Sequence, residues 1–175
     1  AYFEMTDLPL PDNRDGILSA LKAERFIEKN DKGLWNISNL VAVLFARQLA
    51  AFPNLSRKVV RVVLYRDNNR VETIREIDGN KGYASGFEGL IGFINNLLPE
   101  NEVIGQALRK SVPMFPELAV RELVANAIIH QDFSLTGTGP MIEIFSDRME
   151  ITNPGVPLVD TDRFLDSPPR SRNEA

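Results

Sequence analysis

The chain has 175 residues, of which 43% are hydrophobic, and it carries a formal net charge of −4 and no cysteine. This length and apolar content allow one domain, or two small ones, to form a core without help from metal or disulfides. The absence of cysteine excludes a disulfide scaffold, a cysteine nucleophile and a thiolate metal site, and the acidic balance argues against direct binding of nucleic acid.

No apolar run reaches the roughly 18 residues that a membrane span needs, and no signal-peptide pattern opens the sequence. We therefore expect a cytoplasmic protein with no membrane partner. The sequence opens without an initiator methionine and stops abruptly, so we expect a fragment of a longer protein.

The first part of the chain predicts two short helices. Asp12 or Asn13 is suited to cap a helix that runs to about Ile27, and Ser38 is suited to cap a second helix over 39–50. Residues 30–33 form a turn between them. The pair could be a helix-turn-helix element, but the second helix is mostly apolar, which favours a buried helical hairpin.

Two strands are predicted next, at 57–66 and 71–77, joined by a hairpin connection at 67–70. The first strand contains four basic residues and the second is rich in acids. The basic residues could form a phosphate-binding patch, but a cross-strand ladder of opposite charges is the favoured interpretation. The basic residues are Arg57, Lys58, Arg61 and Arg66.

Residues 85–98 predict a helix, and 102–112 predict a further strand. Gly86, Gly89 and Gly92 recur at every third position of that helix. They could allow another backbone to pack closely, for example across a homodimer, although ordinary packing of the helix on a sheet is favoured.

The most informative stretch is residues 116–134, PELAVRELVANAIIHQDFS. Pro116 suits the first turn of a helix, and Glu117 places negative charge at its positive end. Apolar residues at i, i+3, i+4, i+7 and i+8 predict one buried face. They are Val120, Leu123, Val124, Ala127 and Ile128.

Glu122, Asn126 and His130 are spaced four apart, so they form a polar stripe on this helix with apolar residues on both flanks. We expect the stripe to form one wall of a wet pocket. Glu122 could orient or deprotonate a water, and Asn126 offers a neutral oxygen ligand for Mg²⁺. His130 could contact phosphate or simply end the helix. The spacing alone is equally compatible with buried polar groups that only satisfy the backbone.

After the helix, residues 141–145 and 149–152 alternate apolar and polar and predict a β-hairpin, which the turn Asn153-Pro154-Gly155 follows. A helix with E-x-x-x-N, two strands and a D/N-x-G turn resembles the Bergerat, or GHKL, ATP-binding fold of gyrase-type ATPases and histidine kinases. The resemblance implies that the helix residues hold Mg²⁺ and water, that position 153 accepts the adenine amine, and that Gly155 lets the base approach.

A narrower resemblance is to the RecG-like transcriptional regulators, whose full chains carry a Schlafen-type AlbA-2 domain. It is carried by RELVANAIIHQDFS (121–134), IEIFSDRMEITNPG (142–155) and SPPRSRNE (167–174), with WNISNLVAVLFARQLAAFP (35–53) upstream. No helicase motif and no phosphate-binding G-x-x-x-x-G-K-[ST] loop is found in the sequence.

Two features depart from the GHKL pattern. Asn153 replaces the aspartate, so the side chain is uncharged and can present either end of its amide. The glycine-rich lid that should cover the phosphates after the turn is missing, and any ATPase activity would need it. Arg170 and Arg172 are candidates for phosphate contact, but a disordered tail is the favoured interpretation.

The sequence therefore predicts an α+β fold with a helical segment at 1–52, an α+β segment at 53–112, and a truncated GHKL-like α/β sandwich at 113–175. The expected function is a nucleotide-binding regulatory module for ATP and Mg²⁺ within a RecG-like transcriptional regulator. DNA would be contacted only by domains outside this chain. The alternative is a structural or dimerisation domain with a degenerate nucleotide pocket.

Overall fold

A computed structural model describes residues 2–104 and 109–156 of the chain. The fold is α+β, as predicted, and combines helices with a four-stranded mixed sheet and two small antiparallel pairs. The helices are α1 (Tyr2–Met5), α2 (Arg14–Ala23), α3 (Asn39–Phe45), α4 (Tyr83–Asn95) and α5 (Glu117–Ile129), with a 3₁₀ turn at Leu49–Ala51. The strands are β1 (Ile27–Lys29), β2 (Trp35–Ile37), β3 (Arg61–Tyr65), β4 (Thr73–Asp78), β5 (Glu100–Ile104), β6 (Arg109–Pro113), β7 (Met141–Ile144) and β8 (Met149–Thr152).

Both predicted helix caps in the first part of the chain are confirmed. The Asn13 side chain accepts a hydrogen bond from the Gly16 N–H at 2.8 Å, and the Ser38 hydroxyl accepts one from the Val41 N–H at 3.3 Å. A polar side chain at this position satisfies one of the N–H groups that the first helical turn leaves unpaired.

The predicted helical hairpin is wrong, because α2 ends four residues before Ile27 and the short strands β1 and β2 follow it. Arg25 adopts the left-handed conformation at φ 57°, and the Phe26 N–H returns to the Leu21 carbonyl at 2.9 Å. These two features close the helix in the manner of a Schellman motif. β1 and β2 then pair in an antiparallel hairpin around the predicted turn, where Gly33 has a φ of 75°.

The ladder of opposite charges between the second pair of strands is confirmed. Arg61 lies 3.3 Å from Glu76 and 3.2 Å from Asp78, and Arg66 lies 2.7 Å from Glu72. Arg57 and Lys58, which the sequence placed in the same strand, lie before β3 instead, and Lys58 is only 3% exposed.

The central sheet has the strand order β4-β3-β7-β8, and β3 runs parallel to β7 while the other neighbours are antiparallel. Strands from the predicted segments 53–112 and 113–175 therefore share one sheet. The predicted single strand at 102–112 is instead the antiparallel pair β5 and β6, with 105–108 outside the described residues.

Helices α4 and α5 cover one face of this sheet and build the main core with it. The core contains the β3 and β7 side chains of Val62, Ile142 and Ile144, together with Ile91 and Ile94 from α4. Successive strand residues point to opposite faces, so the neighbouring residues Arg61 and Met141 lie on the other face. None of the described helices is long and apolar enough to cross a membrane.

Candidate functional site

The polar stripe lies on the outward side of α5. The helix buries Val120, Val124, Ala127 and Ile128, and Glu122, Asn126 and His130 are all exposed. Leu123 was predicted to be buried, but it is 52% exposed, because the face that meets the core is narrower than the sequence pattern suggested.

The flanks of the stripe are apolar and also face outward. Leu118 is 68% exposed and Ile129 is 62% exposed. The described residues thus present the stripe as an open polar strip bordered by apolar side chains, rather than as the wall of an enclosed pocket.

The turn at Asn153 lies against the C-terminal end of α5. The Asn153 Nδ2 group donates to the His130 carbonyl at 3.1 Å, and the Asp132 N–H donates to the Pro154 carbonyl at 2.8 Å. His130 is the last residue of the stripe and the C-cap of the helix. The two hydrogen bonds therefore bring the turn to the end of the stripe.

The contact with His130 fixes which end of the Asn153 amide faces the helix. A backbone carbonyl only accepts hydrogen bonds, so the amide nitrogen must point toward it. The Asn153 Oδ1 atom is then the end directed away from the His130 carbonyl. The position thereby keeps an acceptor oxygen, which is the group that an aspartate would offer to an adenine amine.

Gly155 is needed in this turn for both conformation and space. Its φ of 127° belongs to a region that side chains disfavour, and a Cβ atom there would lie 3.0 Å from the Asp132 Cβ. The turn and the loop after α5 thus pack against each other, and a side chain at this position would crowd Asp132 as well as strain the backbone.

The loop after α5 is ordered by Asp132. Its Oδ1 atom accepts hydrogen bonds from the Ser134 N–H at 2.8 Å and the Ser134 hydroxyl at 2.6 Å. These bonds stabilise the charged form and hold the pKa of Asp132 below its usual value.

The sequence did not predict the buried polar network that lies beneath this loop. The Lys58 Nζ group donates to the Asp132 carbonyl at 3.0 Å, and the Tyr83 hydroxyl donates to the Lys58 carbonyl. Gln131 Nε2 in turn donates to the Tyr83 oxygen at 3.0 Å and to the Ile128 carbonyl at 2.9 Å. Burial lowers the pKa of Lys58. The sequence holds no local indication of this role, because Lys58 stands among other basic residues that face solvent.

The described residues also limit how Mg²⁺ could bind. They contain no group of three or more His, Cys, Asp or Glu side chains that could hold a metal ion. A magnesium ion beside Asn126 would therefore need oxygen ligands from nucleotide phosphates as well. Arg170 and Arg172, which the sequence offered as candidates for phosphate contact, lie outside the described residues.

Comparison with known families matches one segment of the chain. Residues 137–175 match the model of the family described as "Putative ATP-dependent DNA helicase recG C-terminal". The matched segment includes β7, β8 and the turn at Asn153, whereas the stripe on α5 lies before it. No curated protein matches the chain in sequence.

Among solved structures, the chain is similar to the crystal structure of the DIP2311 protein from Corynebacterium diphtheriae. The two superimpose with a TM-score of 0.55 at 21% identity, over 65% of this chain and 24% of that one. The chain thus spans about a quarter of the length of that protein. At this level of identity the similarity is evidence of a shared fold alone.

Proposed function

We propose that this chain is a GHKL-like module that binds ATP with Mg²⁺ and regulates a longer, RecG-like protein. In that protein, domains outside this chain would contact DNA. The segment match to the RecG C-terminal family supports the ATP-binding part of the proposal. The acidic balance of the chain supports the assignment of DNA contacts to other domains.

The observation that carries the proposal is the position of the turn at the end of the stripe. The hydrogen bond of 3.1 Å between Asn153 and the His130 carbonyl joins the two motifs that a nucleotide would have to contact together. Asn153 would accept the adenine amine through Oδ1, and Gly155 would let the base approach the backbone. Asn126 would then complete the coordination of a phosphate-bound Mg²⁺, and Glu122 would orient a water.

Thermal unfolding in the presence of ATP tests this proposal. A ligand that binds the folded state at about a hundredfold excess over its Kd raises the melting temperature of a protein this size by about 5 to 10 °C. We expect such a rise with ATP and Mg²⁺ together, a smaller rise with ATP alone, and no rise in Asn126→Ala.

Asn54→Ala is the matched control, because Asn54 is an exposed asparagine far along the chain from the stripe. It should keep the full response to ATP. The proposal fails if millimolar ATP and Mg²⁺ leave the melting temperature unchanged, or if Asn126→Ala responds as the unmodified chain does.

One observation favours the alternative of a structural or dimerisation domain. The exposed apolar side chains of Leu118, Leu123 and Ile129 border the stripe, and such a surface is also suited to contact another protein surface. Light scattering of the same samples separates the two functions. A dimer that Leu123→Ser converts to a monomer, together with no response to ATP, would favour the alternative.

A further inference from the structure

A cavity lies on the face of the central sheet that α4 and α5 leave uncovered. One cross-strand row, Asp78, Arg61, Met141 and Thr152, contributes to its floor, since these four residues pair in register across β4, β3, β7 and β8. The cavity has a volume of about 480 Å³, which is within the range of pockets that hold small molecules. It lies on the side of the sheet opposite to the stripe on α5.

One wall of the cavity carries a cationic side chain that has no carboxylate partner among the described residues. Arg57 lines the cavity and is exposed, and it forms no ion pair there. Arg61 also lines the cavity, but Glu76 and Asp78 already neutralise it at 3.3 and 3.2 Å. Arg57 is therefore the group that can bind an added anion, and a guanidinium can do so through two parallel N–H donors.

The loop Gly137-Thr138-Gly139 also lines the cavity, and its last residue packs against the backbone that carries Arg57. A Cβ atom on Gly139 would lie 2.5 Å from the Val59 carbonyl oxygen and 3.0 Å from the Arg57 carbonyl oxygen, so only glycine fits. The N–H groups of these three residues donate no hydrogen bond to any other described residue. Backbone N–H groups next to a guanidinium form a favourable environment for a phosphate.

The cavity also contains a hydrogen-bond acceptor, which an anion without hydroxyl groups would leave unused. Asp78 lines it beside Arg61, and a carboxylate can accept hydrogen bonds from hydroxyl groups of a ligand. A ligand with a phosphate for Arg57 and hydroxyl groups for Asp78 would use both of these polar groups. We propose that this cavity binds a phosphate monoester of a sugar-sized polyol, with the phosphate held by Arg57 and the 137–139 loop.

Calorimetric titration of the whole 175-residue chain with ribose 5-phosphate as the probe tests this inference. We expect saturable binding that weakens at least about tenfold in Arg57→Gln, because a hydrogen bond to a charged group is lost. Arg47→Gln is the matched control, since Arg47 is an exposed arginine that does not line the cavity, and it should bind as the unmodified chain does.

Two further ligands separate the contributions of the phosphate and the hydroxyl groups. Ribose should bind too weakly to detect, and inorganic phosphate should bind more weakly than ribose 5-phosphate. The proposal is overturned if ribose 5-phosphate gives no binding heat at millimolar concentration, if Arg57→Gln binds it unchanged, or if inorganic phosphate binds equally well. Asn126→Ala should leave this binding intact, so the result is independent of the ATP experiment.

Discussion

At the scale of single residues, the clearest departure from the sequence pattern is Glu143. Alternation in β7 predicts that it faces solvent, yet it is only 2% exposed. Arg70 covers it with two hydrogen bonds of 2.6 and 2.9 Å, and the Tyr65 hydroxyl donates a third at 3.0 Å. The Tyr65 ring stacks on Phe145 at 4.9 Å. No local sequence pattern predicts this arrangement, because Arg70 and Tyr65 lie far from Glu143 in the sequence.

Replacement of Glu143 by glutamine should destabilise the fold near neutral pH by about 1 to 3 kcal/mol, since it weakens charge-assisted bonds at a buried site. The hydrogen bonds from Arg70 hold the pKa of Glu143 below its usual 4.5. A depressed carboxyl pKa stabilises the fold above the unfolded pKa, and that stabilisation is lost as the pH falls through the folded value. Urea unfolding at several pH values should therefore show less acid sensitivity in Glu143→Gln.

Glu88 supplies the comparison for this prediction. It forms a similar two-bond pair with Arg121, which also lowers its pKa, but its side chain is 74% exposed. Exposed pairs contribute little because water and salt screen them. An equal loss of stability in Glu88→Gln and Glu143→Gln would show that burial is not what makes the Glu143 pair important.

At the scale of helices and strands, the sequence predicted well those features that depend on residues close together in the chain. The caps at Asn13 and Ser38 and the hairpins β3–β4 and β7–β8 follow from residue types close together in sequence. The pair β1 and β2 was missed because strands of three residues are too short to show alternation.

The spacing of the glycines in α4 did not by itself reveal whether they allow close packing of another backbone. Apart from the adjacent residues and the backbone of α4 itself, a Cβ atom on Gly89 or Gly92 would have no described heavy atom within 4 Å, so these glycines do not mark a close contact within the described chain. Glycine in the middle of a helix costs about 0.5 to 1 kcal/mol relative to alanine. Gly89→Ala should therefore raise the free energy of unfolding by about that amount, as measured by urea denaturation.

Gly82, the residue that precedes α4, should respond in the opposite direction. A Cβ atom there would lie 2.5 Å from the Leu44 carbonyl oxygen, and its φ of −58° is accessible to any residue. The effect of Gly82→Ala is thus purely steric, and we expect a loss of stability. If both alanine variants shift stability in the same direction, the packing around α4 differs from that described above.

At the scale of the whole molecule, the sequence could not reveal which distant parts meet. The parallel pairing of β3 with β7 joins residues that lie far apart in the chain, and no residue pattern within either strand specifies that partner. For the same reason the stripe on α5 and the turn at Asn153 were both identified, but their connection through the His130 carbonyl was not. The Lys58 network is a third contact of this kind.

Lys58 joins the segment before β3 to the loop after α5, and its titration gives a test of that connection. Burial lowers its pKa from the usual 10.5, so between the folded and unfolded pKa values the folded state binds fewer protons. Stability should then rise with pH across that window. We expect Lys58→Met, which keeps the buried stem but removes the charge, to abolish this rise in the alkaline range below pH 10.0.

Urea unfolding of the two chains over that range provides the measurement, and Lys22→Met is the control because Lys22 is an exposed lysine on α2. The upper limit matters because burial raises the pKa values of Tyr65 and Tyr83 above 10.0, which would make stability fall at higher pH. If the free energy of unfolding rises with pH equally in Lys58→Met, the ammonium group is hydrated in solution. The lysine would then not stabilise the loop beside the Asn153 turn.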